Sequence, residues 1–132
     1  MLKTSFLVAG LVAAMSVAPA LADAPAAPFA KVGDLVALPE FLPGLGTLYV
    51  DPATLPAGPF LGYDHDGTLS ATIYMLPIKA LETGTAYDDL PVGANAVTSV
   101  DIYFNAGHPG VEMPHAHVVL FHDADAKARL AK

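Results

Sequence analysis

The stretch PFLGYDHDGTLSATIYMLP, residues 59–77, decides the fold, because it has the pattern of two strands joined by a tight turn. Asp66-Gly67 lies between the two apolar segments, and such a dipeptide supplies the positive φ that a short hairpin turn needs. Successive residues of a strand point to opposite faces, so every second residue shares a face. The stretch predicts a β-hairpin whose second strand has one apolar face, formed by Leu69, Ala71, Ile73 and Met75.

Further elements are expected on both sides of this hairpin. Upstream, proline is frequent and disfavours helices, so the only strand expected there is a short one at Thr47–Val50. Downstream, residues 77–84 predict a short helix, and residues 114–122 predict a strand. The C-terminal tail predicts a second short helix with Asp123 as its N-cap. We therefore expect a single α+β domain, dominated by an antiparallel sheet of about five strands with one or two short helices.

The segment VTSVDIYFN, residues 97–105, alternates between apolar and polar positions. This alternation is typical of a half-buried strand, and the strand at residues 114–122 is its simplest hairpin partner. The apolar row comprises Val100, Ile102 and Phe104, and the other row comprises Asp101, Tyr103 and Asn105.

The N-terminal stretch MLKTSFLVAGLVAAMSVAPALA predicts a signal peptide at residues 1–22. Lys3 precedes an apolar run that Pro19 interrupts before it reaches the roughly 20 residues of a membrane span, and Ala20-Leu21-Ala22 resembles a cleavage site. We therefore expect an exported protein, periplasmic or secreted, with no membrane association after cleavage. The predicted organisation is a signal peptide (1–22), a proline-rich N-terminal segment (23–46) and the β-rich domain (47–132).

Charge and cysteine content narrow the function classes. The chain has a net charge of −7, and removal of the signal peptide would take away one lysine and no acid, giving −8. Nucleic acids and anionic lipids attract clustered positive charge, so neither is an expected partner. The chain has no cysteine, so disulfides cannot stabilise the fold. Packing, a metal ion or a partner subunit must do so instead.

Four of the five histidines lie in GHPGVEMPHAHVVLFH, residues 107–122. His115 and His117 would share one face of the strand, with Cα atoms about 7 Å apart, close enough for both imidazoles to bind one ion. His-x-His on a strand occurs in zinc, iron and copper sites for this reason, and the ion expected here is zinc or copper. His122 would point to the opposite face, which favours a surface or structural role for it.

A third ligand is expected from the surroundings of this pair. His108 and Glu112 lie in the preceding loop, and Asp101 lies beside Tyr103 on the polar row of the neighbouring strand. Imidazole and carboxylate groups are both common zinc ligands. The candidate metal ligands are therefore His108, His115, His117, Glu112 and Asp101.

Three functions remain open on the residues alone. The cluster could bind a metal ion in a metal-binding or metal-responsive module. It could instead be the active site of a small enzyme, with a histidine as general base or a metal-bound water as nucleophile. A structural or ligand-carrying envelope protein, whose histidines only close the core, is the third alternative. The sequence contains no EF-hand calcium loop and no nucleophile elbow of a serine hydrolase.

The elements Tyr-Met-x-Pro at residues 74–77 and Gly-His-Pro-Gly…Pro-His at residues 107–115 resemble an uncharacterised family typified by a Thermus hypothetical protein. The resemblance covers about residues 48–122. It implies a secreted or periplasmic α+β domain without an established activity, and it leaves room for a homo-oligomer. The family pattern carries over to His108 and His115, whereas His117 stands where the pattern has an aspartate.

Overall fold

The computed structural model describes residues 24–132, so the predicted signal peptide lies outside the described residues. Within this range no helix is long and apolar enough to cross a membrane. The predicted α+β class is confirmed: residues 24–132 form six strands and three short α-helices. The elements are β1 (Ala30–Lys31), α1 (Val32–Leu35), β2 (Thr47–Val50), a 3-10 turn (Pro52–Thr54), β3 (Phe60–Tyr63), β4 (Leu69–Pro77), α2 (Ile78–Glu82), β5 (Ser99–Asn105), β6 (His115–Phe121) and α3 (Ala126–Leu130).

All six strands form one antiparallel sheet in the order β1-β2-β3-β4-β6-β5. The predicted hairpin is present as β3 and β4, and Gly67 in its turn has a φ of 76°. β6 lies between β4 and β5 and pairs with both over seven residues. The last strand of the chain is therefore interior to the sheet, whereas β5 forms an edge.

Two elements lie in the proline-rich segment, for which the sequence predicts no regular structure. β1 adds a sixth strand by pairing two residues with β2, and α1 is a single turn directly after it. Pro28 and Pro39 flank these elements and do not interrupt them, so neither proline removes a hydrogen bond from them. Val32 of α1 is buried in the core.

The core lies on one face of the sheet, with α1 and α3 packed against it. The apolar face predicted for β4 contributes Ala71, Ile73 and Met75, each at most 3% exposed. Strand alternation brings the matching residues of the neighbouring strands to the same face. The other residues of this core cluster are Val32, Leu48, Val50, Phe60, Val111, Val119, Phe121, Ala126 and Leu130.

The orientation of β5 is opposite to that of a usual half-buried strand. Its apolar row is exposed, at 47% for Val100, 70% for Ile102 and 65% for Phe104. Its polar row faces the core side, because Asp101 pairs with Val119 and Tyr103 pairs with His117. The predicted alternation is present, but the period alone does not say which face is covered, and β5 is an edge strand.

A buried carboxylate, Asp64, joins the hairpin turn to the C-terminal helix. It accepts hydrogen bonds from the backbone N–H groups of Asp66 and Thr68, the Ser70 hydroxyl and Nε of Arg129. Burial by itself would raise the pKa of Asp64, but the accepted hydrogen bonds outweigh this and hold its pKa below the usual range. Asp64 therefore stays ionised inside the fold.

Arg129 also binds Asp123 through two hydrogen bonds of 2.9 and 2.6 Å. The prediction that Asp123 is the N-cap of α3 is therefore wrong. The N-cap is Asp125, whose side chain forms no capping hydrogen bond. The hydrogen bonds from Arg129 lower the pKa of Asp123 to about 2. The tail is thus fixed by side-chain ion pairs and by burial of Leu130.

We predict that Asp64→Asn lowers the free energy of unfolding by about 2 kcal/mol at pH 7, because Arg129 loses its buried partner. The native pKa of Asp64 lies below its unfolded value, so this contribution is full above about pH 4 and is lost as the pH falls through the native pKa. Urea unfolding of both proteins at pH 7 and pH 3 measures the difference, which should narrow at pH 3. The exposed Asp66→Asn is the matched control, with a change within about 0.5 kcal/mol. Equal loss in both variants would contradict the assignment.

Candidate metal centre

His115 and His117 lie on the core face of β6, as the two-residue period predicts. His117 pairs with Met75 of β4, and His115 pairs with Pro77. Their exposed fractions are 3% for His117 and 0% for His115, so both imidazoles are buried. Their Nε2 atoms are 2.9 Å apart and the rings are stacked. On the core face of β6, two adjacent imidazoles therefore precede the apolar side chains of Val119 and Phe121.

His108 reaches the pair from the loop that precedes β6. An isolated antiparallel bridge between His108 and Val111 closes this loop, and Val111 is buried in the core. Gly107 has a φ of 131°, and a Cβ there would lie 2.4 Å from the carbonyl oxygen of Glu112, so a glycine is required for the loop to fold back. The His108 ring stands edge-on to both other rings, with centroids 4.9 and 5.6 Å away.

One ring nitrogen from each histidine lies within 4.8 Å of those of the other two. Two nitrogens bound to a tetrahedral zinc ion lie about 3.3 Å from each other, since each Zn–N bond is about 2.05 Å. His115 and His117 already have nearly this separation, so a metal would require a small inward movement of His108. The loop that carries His108 can accommodate such a movement more readily than the interior strand β6.

The other nitrogen of each ring has its own hydrogen-bond partner. Nδ1 of His115 is 2.7 Å from the carbonyl oxygen of Met113, and Nδ1 of His108 is 3.0 Å from that of Pro109. Nδ1 of His117 is 3.0 Å from the hydroxyl of Tyr103. Metal-binding histidines characteristically have such an outer partner, which fixes the ring and directs the opposite nitrogen to the ion.

These contacts fix the protons of the neutral rings. A carbonyl oxygen can only accept, so His115 must donate from Nδ1 to Met113, which leaves its Nε2 as an acceptor. His117 then donates from Nε2 to His115, and its Nδ1 accepts from the Tyr103 hydroxyl. The three residues thus form a one-directional chain of hydrogen bonds, Tyr103 to His117 to His115, that ends on the backbone.

Burial keeps His117 neutral. Its pKa is lowered to about 4, chiefly by burial and further by repulsion from His115 and His108. At neutral pH the ring therefore carries no extra proton that a metal ion would have to displace.

The carboxylates proposed from the sequence lie elsewhere. Asp101 forms an ion pair with Lys127 at 2.5 Å, and Glu112 is exposed; neither belongs to the group of converging ligand atoms found among the described residues. His122 lies on the opposite face, buried between the Thr72 hydroxyl and the carbonyl oxygen of Ala96, which fits a structural role. Tyr103, on the polar row of β5, pairs with His117 and contacts its ring.

An apolar pocket of about 290 Å³ opens beside the histidines. It lies between α1 with the following loop on one side and the core face of the sheet on the other. Its polar lining residues all belong to the histidine cluster or to β5 beside it: Tyr103, Asn105, His108 and His117. Leu35 and Leu55 also line it and are each 45% exposed, so they mark its opening to solvent. The sequence does not predict this pocket, because the pocket forms only when α1 packs across the sheet.

We predict that in the metal-free protein at neutral pH His115 is the Nδ1–H tautomer and His117 the Nε2–H tautomer. Correlation of ring nitrogen and carbon resonances by NMR distinguishes the two forms. Tyr103→Phe removes the donor to Nδ1 of His117 and should shift that nitrogen, while the resonances of His122 stay unchanged. Identical tautomers for His115 and His117 would contradict the hydrogen-bond chain.

Comparisons with known proteins find similarity to a solved structure. No family model matches the chain, and no curated protein matches it. Among solved structures, the crystal structure of the hypothetical protein TTHB210 from Thermus thermophilus is similar, with 41% sequence identity and a TM-score of 0.61 over 72% of this chain and 89% of the Thermus chain. That protein is described only as hypothetical, so it brings no activity with it. The identity and coverage show that this chain belongs to the same family as the Thermus hypothetical protein.

Proposed function

We propose that the protein is an exported metal-binding protein in which His108, His115 and His117 hold one transition-metal ion. The observation that carries the proposal is the arrangement of the three rings: one nitrogen of each converges on a common point, and the other is held by a carbonyl oxygen or by Tyr103. This combination of convergence and outer hydrogen bonds is typical of imidazole metal sites.

Zinc and copper are the ions that fit best. Three neutral imidazoles without a thiolate or carboxylate suit zinc and copper, whereas calcium and magnesium prefer oxygen ligands. Three protein ligands leave a fourth position of a tetrahedral zinc open, as in zinc sites that bind a substrate or activate water. Of the two, zinc is the ion expected from this ligand number and geometry.

We predict that zinc raises the melting temperature of the untagged protein by several degrees, because an ion bound only by the native state stabilises it by about 2.7 kcal/mol at 100 times Kd. The double variant His115→Ala/His117→Ala should lose this rise. Differential scanning calorimetry with and without zinc, and then with copper, gives the measurement.

Two further variants make the result specific. His108→Ala removes the only ligand carried by a loop, so it should weaken metal binding while the metal-free protein keeps its fold. His65→Ala is the matched control, because His65 is exposed and stacks on Phe41 away from the cluster. Equal zinc stabilisation in wild type and His115→Ala/His117→Ala would refute the proposed site.

A second candidate function is catalysis by the same centre. It is favoured by the pocket, because an enzyme needs an apolar cavity beside its reactive group, and His117 and His108 line this one. A metal ion here would lower the pKa of a bound water, which could then act as a nucleophile. Tyr103 is within hydrogen-bond distance of His117 and could orient it.

Catalysis predicts that the zinc-loaded protein hydrolyses p-nitrophenyl hexanoate faster than p-nitrophenyl acetate, since the longer acyl chain can enter the pocket. Release of p-nitrophenolate, measured by its visible absorbance, would be followed for wild type, His108→Ala and the metal-free protein. A rate that is the same in all three would exclude the centre as an active site while leaving metal binding intact.

A further inference from the structure

The pocket beside the histidines has an apolar wall and a small group of polar residues at one place. Nearly all of its wall is aliphatic or aromatic, from Val32 and Val36 of the N-terminal part to Phe60 and Met75 of the sheet. Its four polar residues belong to the histidine centre or its immediate neighbours in sequence and strand pairing. A ligand that matches this distribution has an apolar body and one polar end.

The size of the pocket limits the length of that body. An engineered cavity of about 150 Å³ accommodates the six carbon atoms of benzene, so about 290 Å³ corresponds to about twelve such atoms, or to roughly ten of the bulkier methylene groups. Leu35 and Leu55 at the opening are exposed apolar side chains and would contact the far end of such a chain. Leu35 and Leu55 would thus form the entrance of the pocket.

The charge of the polar end follows from the ligands of the metal centre. Three neutral imidazoles leave the full positive charge of a divalent ion uncompensated and leave one coordination position free. Among the described residues that line the pocket there is no lysine, arginine, aspartate or glutamate. A carboxylate buried there would be costly in the metal-free protein, whereas on the ion it would supply the fourth ligand and compensate charge.

We infer that the pocket binds a medium-chain carboxylic acid of about eight to ten carbon atoms, with its chain between α1 and the sheet and its carboxylate on the metal held by His108, His115 and His117. The inference rests on the proposed metal site and adds its ligand class. It assigns the aliphatic wall to the chain and the histidine end to the head group.

The test begins with metal binding measured alone, by titration of the untagged protein with zinc. Acetate, hexanoate, decanoate and decanol are then titrated calorimetrically into the zinc-loaded and the metal-free protein. Decanoate should bind at least tenfold more tightly when zinc is present. Affinity should rise about fourfold per added methylene between hexanoate and decanoate, the factor for burying one methylene group. Decanol, which has the same chain without the charge, should bind equally with and without zinc.

Direct coordination has its own readout. Replacing zinc with cobalt(II) gives visible absorption bands that depend on the ligands of the ion, and decanoate should shift them whereas decanol should not. At the opening, Leu35→Glu places a negative charge beside the chain and should weaken decanoate binding at least tenfold. Leu81→Glu is the matched control, because Leu81 is similarly exposed at 43% on α2 but does not line the pocket.

The outcomes separate the two proposals. Zinc binding without any decanoate binding, or with decanoate affinity independent of zinc, overturns the ligand inference and leaves the metal site standing. Failure to bind zinc overturns the ligand inference, and failure to bind copper as well overturns the metal site too. Both proposals are supported if carboxylate binding depends on zinc, strengthens with chain length and shifts the cobalt bands. Leu35→Glu should then weaken decanoate binding, and Leu81→Glu should not.

Discussion

The antiparallel register of β4, β6 and β5 aligns Met75, His117 and Tyr103 in one row across the sheet. Paired residues of neighbouring strands point to the same face, so this register puts a core methionine, a buried imidazole and a phenol side by side. A shift of one residue would turn both β6 histidines to the other face and replace them with Ala116 and Val118. The histidine centre, its hydrogen bond from Tyr103 and the pocket beside it all depend on this alignment.

The buried histidines are compatible with a stable core because every nitrogen of the buried pair has a partner. Burying an unsatisfied polar group is costly, yet no buried side-chain nitrogen or oxygen among the described residues lacks a hydrogen bond. His115 achieves this through the backbone of Met113, and His117 achieves it through Tyr103. The same contacts would orient the rings for a metal ion, so the proposed metal-bound state would need only a change of tautomer at His117 and a movement of His108.

Local patterns in the sequence are sufficient to predict the hairpin of residues 59–77, the strand at Thr47–Val50 and the shared face of His115 and His117. Each of these depends on alternation or on a turn dipeptide, which neighbouring residues determine. The exposed apolar row of β5 cannot be predicted in this way, because burial depends on what covers a strand. α1 cannot be predicted from the sequence either. A single turn is too short to show a helical period, and α1 is stabilised by its packing on the core.

The third ligand of the proposed metal site is the residue that spacing in the sequence is least able to predict. His108, Glu112 and Asp101 are equivalent in sequence, since each could lie near the pair. The loop decides among them: the backbone reversal at Gly107 and burial of Val111 bring His108 inward, which leaves the Glu112 side chain exposed, and Lys127 of α3 binds Asp101. The remaining three ligands are neutral imidazoles, and they would leave the charge of the proposed divalent ion uncompensated beside an apolar cavity. In a medium of low dielectric that charge attracts an anion more strongly than it would in water. The loss of both carboxylates from the cluster is therefore what makes an anionic head group the expected fourth ligand.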